Sequence, residues 1–360
     1  MAVRGRIGAP GRGEGMEEAR ILVRATNWLG DAVMSLPALR ALRAAFPRAH
    51  LAVLARPWVA ELYRRERTID ELIVDQAAPG ARDWAGKWRT ARELARRGFD
   101  CAVLFPNSFD SALLVCLAGI RRRIGYRRDG RGPLLTDPMP VPRRGEIPAH
   151  ETYYYLELLR RARILDSLPE VETIELDQIA EAGHAGRTRL AALGLDGEVI
   201  GVSPGAAFGP AKRWLPERFA EAACLVASKR AAAIALFGSA AEHALCEEIA
   251  VRIRGTDHVA VNLAGRTTLG EFIELAAACS VFLTNDSGPM HVASALSVPT
   301  VAVFGPTDPW ATGPKGRRCR LVREPLDCSP CKLRACPIDH RCMRRISAEA
   351  VAQAALELLQ

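Results

Sequence analysis

Short apolar runs of strand length alternate with amphipathic stretches of helical length, and the alternation occurs twice along the chain. That pattern leaves little room for any architecture other than parallel sheets covered by helices. In the first half ILVRA at 21–25, HLAVLA at 50–55, DELIV at 70–74 and DCAVLF at 100–105 read as strands. DAVMSLPALRALRAAF and WAGKWRTARELARR read as the helices between them, with Pro37 expected to bend the first or to sit near its opening turns. The alternation restarts after a polar, glycine-bearing stretch at 180–197, with strands at 199–204, 231–238, 280–285 and 300–305. ERFAEAACLVASK, AEHALCEEIAVRI and LGEFIELAAAC fill those gaps as helices, and SAEAVAQAALELL reads as a last helix with Ser347 as its N-cap.

A chain of 360 residues is long for one hydrophobic core and suits two. The expected fold class is α/β, with two Rossmann-like domains facing across a cleft. The expected boundaries are a disordered Gly- and Arg-rich leader at 1–19, a first domain at 20–180, an interdomain region at 181–197, a second domain at 198–346 ending in a cysteine-rich tail, and a C-terminal helix at 347–360. No stretch approaches the roughly 20 apolar residues that span a bilayer, and the start lacks the apolar core of a signal peptide, so a cytoplasmic protein is expected.

In open α/β sheets ligands bind beyond the carboxyl ends of the strands, so the loops there are searched first. After the first strand come Gly30 and Asp31; the carboxylate is either a helix N-cap or a chemical group. After VIGVS the loop PGAAFGPAKRWLP brings Lys212 and Arg213 to a helix start, where small residues and the helix N-terminus favour an anion; it is not a Walker A sequence. After AAAIALF, Glu242 follows a glycine turn and suits either ribose hydroxyls or the helix dipole. After SVFLT, Asn285 and Asp286 lead into Ser287, Gly288 and His291. There Ser287 and Gly288 can present N–H groups to a diphosphate, Asp286 can orient the loop or a sugar hydroxyl, and His291 is either structural or a phosphate donor.

The net charge of +8 is concentrated at Arg121–Arg144, which Gly and Pro interrupt and which therefore reads as a loop. Arg123, Arg127 and Arg128 in it point to an anionic partner, a phosphorylated glycolipid or acidic membrane, or else form a solvated surface. No nucleic-acid recognition motif accompanies them. Cys101, Cys116, Cys224, Cys246 and Cys279 sit in ordinary or apolar contexts and read as small buried hydrophobes.

NWLGDAVMSLPAL, PGAAFGPAKRWLPERFAEAA and NDSGPMHVASALSVPTVAVFGPTDPWATGP, in this order from about Arg20 onward, resemble the lipopolysaccharide heptosyltransferases of glycosyltransferase family 9, most closely the heptosyltransferase II branch. The resemblance implies the GT-B fold, with an acceptor domain followed by an ADP-heptose domain. It implies inverting transfer of heptose from ADP-heptose to heptose I of a lipid A–Kdo–heptose acceptor, at the inner face of the cytoplasmic membrane and with no cofactor. It implies Asp31 as catalytic base, whose place by a helix N-terminus should depress its pKa, and Lys212 as the diphosphate lysine. Glu242 becomes the ribose-binding acid, and Asp286 and His291 the donor-site pair of a D-[ST]-G-x-x-H motif. Ser287 and Gly288 lie between that pair. Arg123, Arg127 and Arg128 fall on the acceptor side. Leu215 departs from the pattern, separating Trp214 from Pro216 where many relatives have them adjacent, and so bears on where the next helix starts.

The same donor loops also fit heptosyltransferase I or another nucleotide-sugar transferase. An NAD-dependent dehydrogenase is disfavoured because no G-x-G-x-x-G follows the first strand. A binding protein without catalysis is the third reading. The tail Cys328-x2-Cys331-x4-Cys336-x5-Cys342, with His340 nearby, matches no standard zinc-finger spacing and suits reduced thiols, a structural metal or a labile disulfide equally.

Overall fold

The computed structural model describes residues 18–78 and 83–360. The expected leader thus lies outside the described residues except for its end, where Ala19 is already buried and its carbonyl accepts from His50 N–H at 3.0 Å. The first half contains β1 (Arg20–Arg24), α1 (Leu29–Met34), α2 (Leu36–Ala45), β2 (His50–Ala55), α3 (Pro57–Arg64), β3 (Glu71–Val74), α4 (Trp84–Arg97), β4 (Cys101–Leu104), α5 (Phe109–Leu117), β5 (Arg122–Tyr126), β6 (Asp137–Met139) and α6 (Thr152–Arg161). The second contains α7 (Ile179–Ala192), β7 (Val199–Ser203), α8 (Pro216–Arg230), β8 (Ala233–Leu236), α9 (His243–Arg254), β9 (Ala260–Asn262), α10 (Leu269–Ala277), β10 (Val281–Asn285), α11 (Gly288–Ala295), β11 (Thr300–Phe304), α12 (Pro309–Thr312), β12 (Cys319–Arg323), α13 (Arg341–Arg344) and α14 (Ala348–Leu358).

Two parallel six-stranded sheets result, ordered β3-β2-β1-β4-β5-β6 and β12-β11-β10-β7-β8-β9. Strands such as LAVLA and VIGVS are buried along their whole length, as parallel strands covered on both faces must be. In each sheet the order reverses beside a central strand, β1 in one and β7 in the other, which is where an open α/β sheet leaves a crevice.

The structure corrects several expectations. The long first helix is two, because Pro37 lacks an N–H and takes the second position of α2, while Ser35 closes α1 by donating from Oγ to Ala32 O at 2.8 Å. The arginine-rich segment is not a loop: β5 and β6 extend the first sheet from it. The apolar side chains of β5 are only Ile124 and Tyr126, both buried, so hydrophobic pattern alone missed it. The stretch at 181–197 is mostly α7, packed on α10, where a Cβ on Gly186 would stand 1.9 Å from Glu274 O. The helix start that Leu215 put at issue is regular, with Leu215 as N-cap and Pro216 first in α8. Residue Ser347 caps α14 as expected, accepting from Ala350 N–H at 3.2 Å, and α14 packs on α8 and on β10–β12 of the second sheet.

The largest core cluster contains residues of both halves, from Val33 and Leu62 to Phe272 and Val292. Ion pairs and backbone bonds cross the same interface: Arg65 to Glu274 at 2.6 Å, Glu151 N–H to Ala311 O at 2.9 Å, and His150 Nε2 to Gly313 O at 2.9 Å. The two halves are therefore packed together along one side and open along the other.

Candidate active site

The opening is a cleft of about 480 Å³ between the carboxyl edges of the two sheets. Asp31, Lys212, Glu242, Asp286, Ser287, Gly288 and His291 all line it, so seven positions drawn from four strand-end loops converge as expected.

Asp31 is the third residue of α1, inside the first turn and not its N-cap. It is half-buried, and Oδ1 accepts from the Tyr155 hydroxyl at 3.0 Å. Burial raises its pKa above the usual aspartate range, against the opposing effects of the Tyr155 hydrogen bond and the Lys212 charge. The expected depression by the helix N-terminus is thus overturned, because desolvation outweighs the polar groups that favour the anion.

Across the cleft, Lys212 ends a 3-10 turn at Pro210–Lys212 and donates from Nζ to Asp286 Oδ2 at 2.6 Å. Thr307 Oγ1 donates to the same oxygen at 2.6 Å. Lys212 and Thr307 therefore satisfy the buried Asp286 carboxylate, which in turn aims the lysine. The Lys212 ammonium also stands 5.1 Å from the centre of the Phe208 ring. The tail braces this turn from beneath: Ala211 N–H donates to Arg334 O at 3.0 Å, and His340 Nε2 lies 2.8 Å from Ala211 O.

Ser287 and Gly288 open α11, whose first turn has no side-chain cap and faces the cleft, leaving backbone N–H groups for an anion. His291, one turn on, is buried, and burial lowers its pKa to about 4, so it is neutral at physiological pH. Its ring packs on Gly30: a Cβ there would lie 2.9 Å from His291 Cδ2. In the same contact a Cβ on Gly288 would lie 2.9 Å from Leu29 Cβ. The N-terminal turns of α1 and α11, one from each half, meet through these two glycines.

Glu242 closes a capping box, accepting from Ser239 N–H at 2.8 Å and from Ser239 Oγ at 2.9 Å. Its carboxylate still faces the cleft and covers Gly205, where a Cβ would stand 2.0 Å from Oε1. The helix-terminus reading weighed for it is thus met by the capping box.

The arginines of the basic segment are not brought into the cleft lining. Arg123 is committed to the backbone, donating to Leu134 O at 2.7 Å and Ile120 O at 2.6 Å, so its expected acceptor role is withdrawn in favour of fastening the β5–β6 turn. Arg127 and Arg128 are exposed beyond β5, and the Arg128 charge reaches Glu151 at the cleft wall. Buried Arg131 was not singled out by the sequence; it donates to Tyr126 O at 2.9 Å and Ser111 Oγ at 3.2 Å.

Glu151, Tyr155 and Trp28 were also missed. Glu151 lines the cleft, and burial first and the Asp31 charge second raise its carboxyl pKa. The signal for this pair was the run ETYYYLELL, where a carboxylate and a polar-tipped aromatic stand four apart and so share one helix face.

The four tail cysteines and His340 surround a separate cavity of about 80 Å³. All four thiols are unpaired, and among the described residues no three His, Cys, Asp or Glu side chains are arranged to hold a metal ion.

Compared with known proteins, residues 87–341 match the family model described as glycosyltransferase family 9 (heptosyltransferase). The chain is 34% identical to lipopolysaccharide heptosyltransferase 2 of Escherichia coli over 306 residues, covering 84% of this chain and 88% of that one. It is 27% identical to lipopolysaccharide heptosyltransferase 1 of Pseudomonas aeruginosa, over 88% of this chain and 87% of the relative. The solved structure of the E. coli ADP-heptose LPS heptosyltransferase II superposes with a TM-score of 0.77 at 30% identity, covering 94% of this chain and 98% of that one. The paired six-stranded sheets are thus the GT-B arrangement of those structures.

Proposed function

This chain belongs to glycosyltransferase family 9, and we propose that it transfers heptose from ADP-heptose to heptose I of the lipopolysaccharide inner core, at the inner face of the cytoplasmic membrane. The observation that carries the reading is the opposition of Asp31, in the first half, to Lys212 and the uncapped N-terminus of α11, in the second, within one cleft.

A carboxylate with a raised pKa is a competent general base. Asp31 takes the proton of the acceptor hydroxyl as that oxygen attacks the anomeric carbon, and the bond from that carbon to the diphosphate breaks. The displacement is single and inverts the anomeric centre. Charge developing on the departing ADP meets Lys212 and the N–H groups of Gly288 and Met290; Pro289 between them has none. The ammonium exchanges Asp286 for phosphate oxygens, and neutral His291 offers a donor without adding charge. Glu242, fixed by its capping box, accepts from ribose hydroxyls. Arg127 and Arg128 serve the phosphates of a lipid A–Kdo–heptose acceptor from the exposed end of β5. No cofactor enters this scheme.

The test is a mass-spectrometric assay with ADP-heptose and two acceptors, one ending in heptose I and one lacking it. Addition of one heptose to the first alone is expected. The likeness to heptosyltransferase 1 favours a second reading, which extension of only the heptose-free acceptor would establish instead.

A further inference from the structure

Five of the six tryptophans are exposed, and only Trp214 is buried. Folding normally covers such rings, so their arrangement needs a reason. Four neighbouring strands of the first sheet, in the order β3, β2, β1, β4, are each followed at their carboxyl ends by an exposed aromatic: Trp84, Trp58, Trp28 and Phe109. This row lies along the edge that bears Asp31, and Trp28 itself lines the cleft.

At the outer end of the row stands α4. Its Ala91 and Leu94 enter a core cluster made only of first-half residues, so the opposite face is left to solvent. That face carries Trp84, Trp88 and Arg92 at four-residue intervals, with exposed Arg89 and Arg96 beside them. The Arg92 guanidinium lies 5.5 Å from the Trp88 ring centre, and the Lys87 ammonium 5.4 Å from that of Trp84. The helix's one acid, Glu93, is held by Arg97 at 2.6 Å, and among the described residues Arg89, Arg92 and Arg96 form no ion pair, although the Arg89 charge is felt by Asp83 at the start of the helix.

We propose that the solvent face of α4, with Phe109 and Trp58 along the same edge, docks the protein on an anionic phospholipid surface. Indole rings favour the headgroup region, where one side of the ring is apolar and the other wet. Unpaired arginines meet the negative potential of such a surface, and the Trp88 ring lets Arg92 approach it with less desolvation cost, whereas Lys87 is buried and paired with Asp110. Charge complementarity commits the site to acidic lipid over neutral lipid. The inference rests on the proposed lipid-anchored acceptor. With Trp84 at the outer end of the row whose inner member, Trp28, lines the cleft, a docked protein holds its cleft beside the bilayer from which that acceptor projects.

The experiment is flotation of the full chain, with neither donor nor acceptor, on vesicles of phosphatidylethanolamine with phosphatidylglycerol and on pure phosphatidylcholine vesicles. Wild type should float only with the anionic vesicles and be released by high salt, because exposed charges are screened. The triple variant Arg89→Gln, Arg92→Gln, Arg96→Gln should bind roughly a hundredfold more weakly, at about fivefold per basic residue near an anionic surface. The variant Trp84→Ser, Trp88→Ser should lose binding while its thermal midpoint is kept, since both rings are exposed. Turnover of a deacylated acceptor should be unchanged in both. Wild type that ignores anionic vesicles, or variants that bind them equally, would overturn the proposal. So would lost turnover of the deacylated acceptor with vesicle binding intact, which would make the row a sugar platform. Vesicle binding without any heptose transfer would instead sink the proposed function and leave the docking surface standing.

Discussion

The Tyr155 hydroxyl donates a 3.0 Å hydrogen bond to Oδ1 of Asp31, tying the proposed base to a fully buried phenol. The bond leaves Oδ2 for the acceptor. Replacing Asp31 by Asn keeps the shape and this contact but removes the base, so kcat should fall about 10²- to 10⁴-fold with the KM for ADP-heptose nearly constant. The same change has a stability consequence with a definite sign. A carboxyl whose pKa is raised on folding favours the fold below its unfolded pKa and loses that contribution as pH rises through the folded pKa. Asp31→Asn should therefore melt higher than wild type at neutral pH, with the difference closing as pH falls below the ordinary aspartate value. Paired thermal scans at several pH values check this; a lower midpoint at neutral pH would contradict it.

Tyr155→Phe should move the acid limb of the kcat/KM profile to higher pH. The phenol bond stabilises the ionised form of Asp31, so its loss adds to the upward push that burial already exerts. A pH–rate profile of the two proteins, with the limb unmoved or displaced to lower pH, would show that Tyr155 does not tune the base.

Lys212→Ala should raise the KM for ADP-heptose by about 10- to 100-fold, the range of a charge-assisted hydrogen bond. It also strands Asp286 as a buried carboxylate with Thr307 as its remaining side-chain partner, which adds repulsion against a diphosphate and costs stability. The double variant Lys212→Ala, Asp286→Asn separates these effects. It should regain thermal stability over the single variant without regaining donor affinity, as read by calorimetric titration with ADP.

Turnover should persist in EDTA. Of the cleft carboxylates, Asp286 is engaged by Lys212 and Thr307, and Glu242 by Ser239, while Asp31 and Glu151 belong to the first half. Among the described residues no free pair therefore stands on the donor side of the cleft to hold a divalent cation against the diphosphate. Strict dependence on added Mg²⁺ would disprove this charge assignment.

What the sequence disclosed and what it concealed follow from physical range. Strands such as HLAVLA and TVAVF announce themselves because burial on both faces demands unbroken apolar runs. The donor loops were legible because strand, loop and helix start are contiguous in the chain. Strand β5 was hidden because arginines satisfied by backbone carbonyls, such as Arg123, look identical in sequence to arginines left for a ligand. The direction of the Asp31 pKa shift was hidden for a related reason: a helix N-terminus is a local feature, but the burial that outweighs it is set by tertiary packing, as its contact with Tyr155, 124 residues away, illustrates. Likewise nothing local foretells that Gly30 and Gly288 face each other's helices.

That apposition supports a last prediction. In the first turn of α1, exchanging glycine for alanine should, by helix propensity alone, stabilise by up to about 1 kcal/mol. Yet a Cβ on Gly30 would stand 2.9 Å from Cδ2 of buried His291, in the other half of the molecule, and overpacking costs about 1–3 kcal/mol. The clash lies between the halves and not inside either core, so it is relieved most easily by moving α1 away from α11. Asp31, the next residue, then recedes from Lys212 and the α11 N-terminus, and misplacement by about 1 Å is worth about a hundredfold in rate. Gly30→Ala should therefore lower kcat about a hundredfold with little change in the thermal midpoint. Gly288→Ala, which would meet Leu29 Cβ from the opposite side, should do the same. Wild-type turnover in either variant would show that close packing of the two helix ends is not what sets the distance between base and donor.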